Sequence, residues 1–202
     1  MLTGLYISTV ESRSRKGAET KARMIEAATS LFERQGYAAT GIQQILQESG
    51  APRGSFYFHF PGGKEDLAVA AVERHGDRFG ELLRGAFAQA SSTKEAAVWA
   101  IDALGTHFEG SACESGCPVM AVTFETATRS QTLRAASRAA FESWIGLASA
   151  RLEQDGLAPE VARSKARALL AAIEGALVLC RAYGDRGPLD DIIAQVDGLL
   201  SP

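Results

Sequence analysis

The stretch from Thr40 to Leu67, TGIQQILQESGAPRGSFYFHFPGGKEDL, constrains this chain more than any other. Ile42, Ile45 and Leu46 recur at i, i+3 and i+4 and mark the apolar face of a short helix that Thr40 is placed to cap. Gly50 is free to take a positive φ, which lets that helix turn sharply into a second one. Pro52 pre-sets φ for the first turn of the second helix, Pro52 to Phe58, which is too short to be stable by itself. Phe56 and Phe60 stand four apart and can face inward; Arg53, Ser55, Tyr57, Phe58 and His59 cannot all follow them. A basic residue, a hydroxyl and polar-tipped aromatics on a presented helix suit the major groove of a duplex.

Composition decides the class of fold around this unit. The 202 residues allow one or two domains with a sizeable core. Alanine is abundant, and β-branched runs flanked by turn signals are almost absent, so the expectation is all-α. The net charge of −3 sits badly with DNA binding until it is divided along the chain. Residues 1–64 carry 8 Lys/Arg against 5 Asp/Glu, and the rest carry 13 against 19. The basic excess thus falls where the two short helices lie, although +3 is a small excess. A nucleoid-type structural protein would be basic throughout, whereas this chain is acidic overall.

Other classes find less support. No nucleophile–base constellation, phosphate-cradling glycine loop or paired metal-ligand motif points to an enzyme or a cofactor. No segment approaches the ~20 consecutive apolar residues of a membrane span. Met1 to Val10 lacks the charged start and long apolar run of a signal peptide. Three cysteines, an odd number, argue against a secreted disulfide framework. The expected setting is the cytoplasm, with no membrane partner.

The periodicity predicts about nine helices. Residues 1–19 form a flexible basic arm including Arg13, Arg15 and Lys16, which either touches phosphates or is a solvated tail. A first helix runs from Thr20 to Gln35 on an inner stripe of Ile25, Ala28, Leu31 and Phe32, and Gly36 stops it. Lys64 opens a long fourth helix to about Gln89, and these helices make a small bundle that presents the fifty-to-sixty region. After the Ser91-Ser92-Thr93 junction come helices from Thr93, Pro118, Ser130, Pro159 and Pro188. The last two, 159–183 and 188–200, have apolar surfaces broad enough to require a second copy of the chain. Ala168, Ala171, Ala172 and Gly175 would allow close approach, with Ile193 and Val196 in the same interface.

Residues 20–67 resemble the TetR family of bacterial transcriptional regulators. The resemblance rests on SGAPRGSFYFHFPGGKEDL: the Gly50 turn, the string Phe56, Tyr57, Phe58, His59, Phe60, and Lys64 opening the fourth helix. Two features depart from the common pattern. An extra glycine precedes Lys64, and Gly41 stands where many members carry a threonine. With ESGCPVMAVTFE at 114–125, both look like the LmrA/YxaF-type subgroup.

The resemblance implies a helix-turn-helix domain at 20–67 and an effector-binding, dimerising domain at 68–202. It implies a homodimer on a palindromic duplex operator, most simply a repressor released by a small hydrophobic or aromatic effector. Arg53, Gly54, Ser55, Tyr57, Phe58 and His59 match groove-facing positions, Lys64 matches a phosphate contact, and Thr40 is grouped with them. Arg53 can pair bidentately with guanine and Phe58 can touch a thymine methyl, whereas Tyr57 and His59 suit phosphates or else cap the bundle.

Trp99, His107, Phe108, Met120, Phe124, Phe141, Trp144 and Glu174 are candidate effector contacts, although such apolar side chains at helical spacing also build ordinary core. Thr123 and Glu125 are further polar candidates. Glu174 stands out because its neighbours Ile173, Ala176 and Leu177 are apolar. Cys113 and Cys117, with His107, carry the alternative of a redox- or metal-responsive regulator, while Cys180 reads as core.

Overall fold

A computed structural model describes the backbone of residues 2–201, with side chains described from residue 15 onward. Among the described residues there are nine α-helices and no strand. They are α1 (Leu2–Ala39), α2 (Ile42–Ser49), α3 (Phe56–His59), α4 (Lys64–Gln89), α5 (Thr93–Gly110), α6 (Pro118–Thr126), α7 (Gln131–Gln154), α8 (Pro159–Tyr183) and α9 (Gly187–Leu200). A single 3-10 turn, Arg53–Ser55, leads into α3.

The ends of these helices follow from local chemistry. Ser92 and Ser130 accept the N–H groups of Glu95 and Leu133, which caps α5 and α7. Pro118, Pro159 and Pro188 occupy first turns, where a missing N–H costs nothing. Helix α1 starts at Leu2 rather than near Thr20, because no proline interrupts residues 2–20 and only Gly4 and Gly17 weaken a helix there. The expected stop at Gly36 is real: its φ of 83° and ψ of 172° break the helix before Tyr37.

The N-terminal bundle buries Met24, Leu31, Phe32, Ile45, Phe56, Phe60 and Leu67 completely or nearly so. In the larger C-terminal bundle α4 and α7 pass very close. A Cβ on Gly76 would stand 3.1 Å from the Ala140 Cβ, and the Trp144 indole N–H donates to the Gly76 carbonyl at 2.9 Å. Phe79 and Phe141 pack edge-on against Trp144, with centroids 4.8 and 5.5 Å away.

Three expected core or interface positions fall elsewhere. Trp99 is 43 % exposed, and Ile101 takes the buried place on α5. Phe124 is 90 % exposed, because α6 buries Val119 and Val122 and turns its opposite face outward. Val196 is buried within its own protomer, since α9 packs on both α5 and α8, so it cannot belong to an interface with a second copy. No helix among the described residues is long and apolar enough to cross a membrane.

Candidate nucleic-acid interface and the cavity behind it

Helix α2 ends at Gly50, whose φ of 60° turns the chain so that Pro52 can start the next segment. Phe56 and Phe60 plug that segment into the bundle, their rings 5.6 Å apart. Anchored in this way, the four-residue α3 needs no stability of its own. Its other face stands in solvent: Phe58 is 81 % exposed, Tyr57 is 64 % exposed, and Arg53 and Gly54 are exposed beside them. Ser55 and His59 are half-buried; the Ser55 hydroxyl donates to the Pro52 carbonyl at 2.7 Å, and the His59 ring stands edge-on to Phe58. Large exposed aromatics on a braced helix are costly to leave in water and mark a contact surface.

Thr40 and Lys64 are not presented with this group. Thr40 is almost fully buried; its hydroxyl donates to the Gly36 carbonyl at 2.7 Å instead of capping α2. Gly41 takes the cap position without a side-chain bond. Lys64 is half-buried, lies 4.1 Å over the Tyr37 ring and donates to the Tyr37 carbonyl at 2.5 Å. Desolvation holds its pKa below the usual lysine value. Both side chains brace the corner between α1 and α2. The extra glycine earns its place locally, because Gly63 precedes α4 with φ 76° and ψ −142°, a conformation essentially confined to glycine.

The same corner is gripped from the C-terminal bundle. Glu125 of α6 accepts the N–H groups of Tyr37 and Ala38. Arg181 of α8 donates to the carbonyls of Glu33 and Arg34. Glu33 in turn accepts the Gly116 N–H at 3.3 Å and lies 3.0 Å from His107 Nε2. Nothing in the spacing of Glu125, Arg181 or Glu33 announces these partners, which lie 83 or more residues away except for His107.

Behind this grip α1, α4, α5, α7 and α8 line a partly open cavity of about 450 Å³. Of the residues expected to contact an effector, His107, Trp144 and Glu174 line it. Met120 lines a smaller neighbouring pocket of about 170 Å³ that shares Glu33, Gly116, Cys117 and Leu177 with the first. Phe108 is wholly buried core, Phe141 supports Trp144 from behind, and Trp99 and Phe124 face solvent. The walls that the sequence did not single out include Phe79, Leu83, Phe87, Leu170, Ile173 and the ring of His75. Burial pushes His75 down to about 4, so it is neutral there, whereas burial pushes Glu174 up to about 7.

The cysteines are all free. Cys113, held at φ 65°, donates its thiol to the Gly184 carbonyl at 3.3 Å. Cys117 is buried and accepts the Met120 N–H at the start of α6, and burial raises its pKa well above the ordinary thiol value. Such a thiol is a poor nucleophile. No group of three or more His, Cys, Asp or Glu among the described residues is placed to hold a metal ion. The geometry thus adds nothing to the redox- or metal-responsive alternative.

A braced helix-turn-helix joined to a helical domain with a cavity is the architecture of a DNA-binding regulator. Comparison with known proteins gives the same class and its family. Residues 24–71 match the bacterial regulatory proteins of the tetR family, and residues 93–195 match the C-terminal domain of LmrA/YxaF-like transcriptional regulators. The chain belongs to the TetR family of transcriptional regulators, with an LmrA/YxaF-like C-terminal domain.

It is 34 % identical over 182 residues to the HTH-type transcriptional regulator YxaF of Bacillus subtilis, covering 90 % of this chain and 95 % of that one. Identity to the regulator LmrA of the same organism is 32 % over 182 residues, covering 90 % and 97 %. A TetR transcriptional regulator from Legionella pneumophila has the same fold, with a TM-score of 0.78 and 26 % identity over 87 % of this chain and 94 % of that one. Regulators of this family bind operator DNA and act as dimers.

Proposed function

We propose that this chain is a homodimeric repressor that binds a two-fold symmetric operator through Arg53, Gly54, Ser55, Tyr57, Phe58 and His59 and leaves it when a small hydrophobic or aromatic effector fills the cavity. The observation that carries the reading is the exposure of Arg53, Tyr57 and Phe58 on a helix whose other face is locked by Phe56 and Phe60. Arg53 recognises a base edge, Phe58 gives apolar contact, and Tyr57 and His59 reach phosphate oxygens. Thr40 and Lys64 hold the corner that aims them.

Dimerisation uses the outer face of α8. Ala168, Ala171, Gly175, Leu179 and Ala182 are exposed there at spacings of three and four, flanked by Val178 and Tyr183. Small residues at such spacing let two helices approach closely and interdigitate. Paired α3 helices then meet successive major grooves about 34–36 Å apart, and an effector that favours a different separation releases the DNA.

The cavity walls carry the coupling. Gly116 and Cys117 line the cavity at the head of α6, and Glu125 near its other end holds the α1–α2 corner. Selection of bound duplexes from a randomised pool tests the reading. A palindromic site recovered by the dimer supports it, and recovery of no common sequence rejects it.

A further inference from the structure

We infer that the cavity takes an elongated, mostly apolar ligand whose polar end is a neutral or cationic hydrogen-bond donor, a hydroxyl or an ammonium, received by Glu174 in preference to an organic anion. This rests on the reading of the cavity as the effector site and goes further by assigning the chemistry that it selects.

The walls give the shape. Thr93 and His107 of α5 both line the cavity, and fourteen residues of helix span roughly 21 Å. Glu174, Cys117, Gly116, Glu33 and His107 gather where α1, α6 and α8 meet. The rest of the wall is mostly Phe, Leu, Ile, Ala and the Trp144 ring, with Glu26, Thr29 and Ser30 of α1 and His75 and Arg78 of α4 among them.

The polar groups give the chemistry. Every other charged group on the wall has a partner. Arg78 lies 3.8 Å from Glu26, which also accepts from Arg74 at 3.1 Å. His107 and Glu33 face each other at 3.0 Å. Arg78 is the one Lys or Arg among the lining residues; its side chain is largely exposed and shares Glu26 with Arg74, while His75 is neutral.

Glu174 differs. The Cys117 thiol touches its carboxyl, but Oε2 is fully shielded by protein and has no hydrogen-bond partner among the described residues. A buried carboxyl oxygen without a donor is expensive, and a ligand donor that turns the Glu174 carboxyl toward the cavity it lines recovers that cost. An ammonium in this place pairs with the ionised carboxyl, whereas a carboxylate ligand can lie beside Glu174 only while one proton is held between the two acids.

A matched series tests this by calorimetry on the full-length protein: 4-hydroxybiphenyl, 4-(aminomethyl)biphenyl, biphenyl-4-carboxylate and 4-methylbiphenyl. The hydroxyl and amino compounds are expected to bind at least tenfold tighter than the carboxylate and the methyl compound. Glu174→Gln, which keeps the volume, should cost the amine at least tenfold and leave the methyl compound unchanged. A far-ultraviolet circular dichroism spectrum and operator binding like those of the unaltered protein confirm that the variant is folded. Equal binding of all four compounds, preference for the carboxylate, or an unchanged amine affinity in Glu174→Gln overturns the assignment of Glu174 while leaving the cavity as the effector site. Failure of all four to bind overturns both.

Discussion

Glu125 and Tyr37, 88 residues apart, join the two halves of the molecule: the Tyr37 N–H donates to the Glu125 carboxylate at 3.0 Å. The Ala38 N–H donates to the other oxygen at 2.5 Å, so one side chain satisfies both main-chain donors that follow Gly36. Replacing it by alanine leaves the partly buried Tyr37 donor unpaired and the exposed Ala38 donor to water, a cost of about 1 kcal/mol. Glu125→Ala should therefore lower the urea midpoint and weaken operator binding, because the corner that aims α3 loses its hold. An unchanged midpoint and unchanged affinity would show the contact to be idle.

Gly36 should resist substitution for two separable reasons. Its φ of 83° suits glycine, and an added Cβ would stand 2.2 Å from Glu125 Oε1. Gly36→Ala should cost more than about 1 kcal/mol, whereas the double variant with Glu125→Ala should cost less than the sum of the singles, because the collision is gone. Strict additivity in equilibrium unfolding would mean that the carboxylate does not press on Gly36.

Two buried groups on the cavity wall set opposite pH slopes. The folded chain keeps a proton on Glu174 that the unfolded chain loses between pH 4.5 and about 7, so this group makes stability fall as pH rises through that window. His75 stays neutral to about 4 while an unfolded histidine takes up a proton below 6.5, so it makes stability fall as pH drops. Each effect is on the order of 3 kcal/mol, and between pH 4.5 and 6.5 they oppose each other. Denaturant midpoints of Glu174→Gln should thus fall more steeply on acidification than those of the unaltered protein. Parallel profiles would contradict the burial of the Glu174 carboxyl.

The outer face of α8 predicts the assembly. Leu179→Glu places a charge on the exposed strip and should give monomers that no longer hold the operator, seen by light scattering at micromolar concentration. Val196→Glu buries an unpaired charge inside one protomer and should lower the melting temperature instead. Monomers of the unaltered protein at that concentration would remove α8 as the interface.

The sequence revealed most where periodicity and punctuation agree. Gly50 and the Phe56–Phe60 pair mark the turn and the anchored face of the segment after it, although Pro52 is extended and Arg53–Ser55 makes a 3-10 turn where the sequence predicts a helix from Pro52 to Phe58. Gly36, Pro118, Pro159 and Pro188 mark helix ends correctly. Glu174 could be singled out because a carboxylate among apolar neighbours on a helix is anomalous by itself. Trp99 and Phe124 misled because large apolar side chains are ordinarily buried, and neither helix shows in sequence which flank its neighbours cover. Lys64, Glu125 and Arg181 were illegible in another way: each finds main-chain partners 27 or more residues away, a property of tertiary placement that no local spacing encodes.

Whether the 3-10 turn leading into α3 reads sequence through Arg53 is decided by fluorescence anisotropy with a selected operator and a scrambled duplex at the same salt concentration. Arg53→Ala should lose about 1–3 kcal/mol on the operator and relax preference at one position of each half-site, with binding to the scrambled duplex nearly unchanged. Equal losses on both duplexes would reduce Arg53 to a phosphate contact and contradict the assignment of the reading helix.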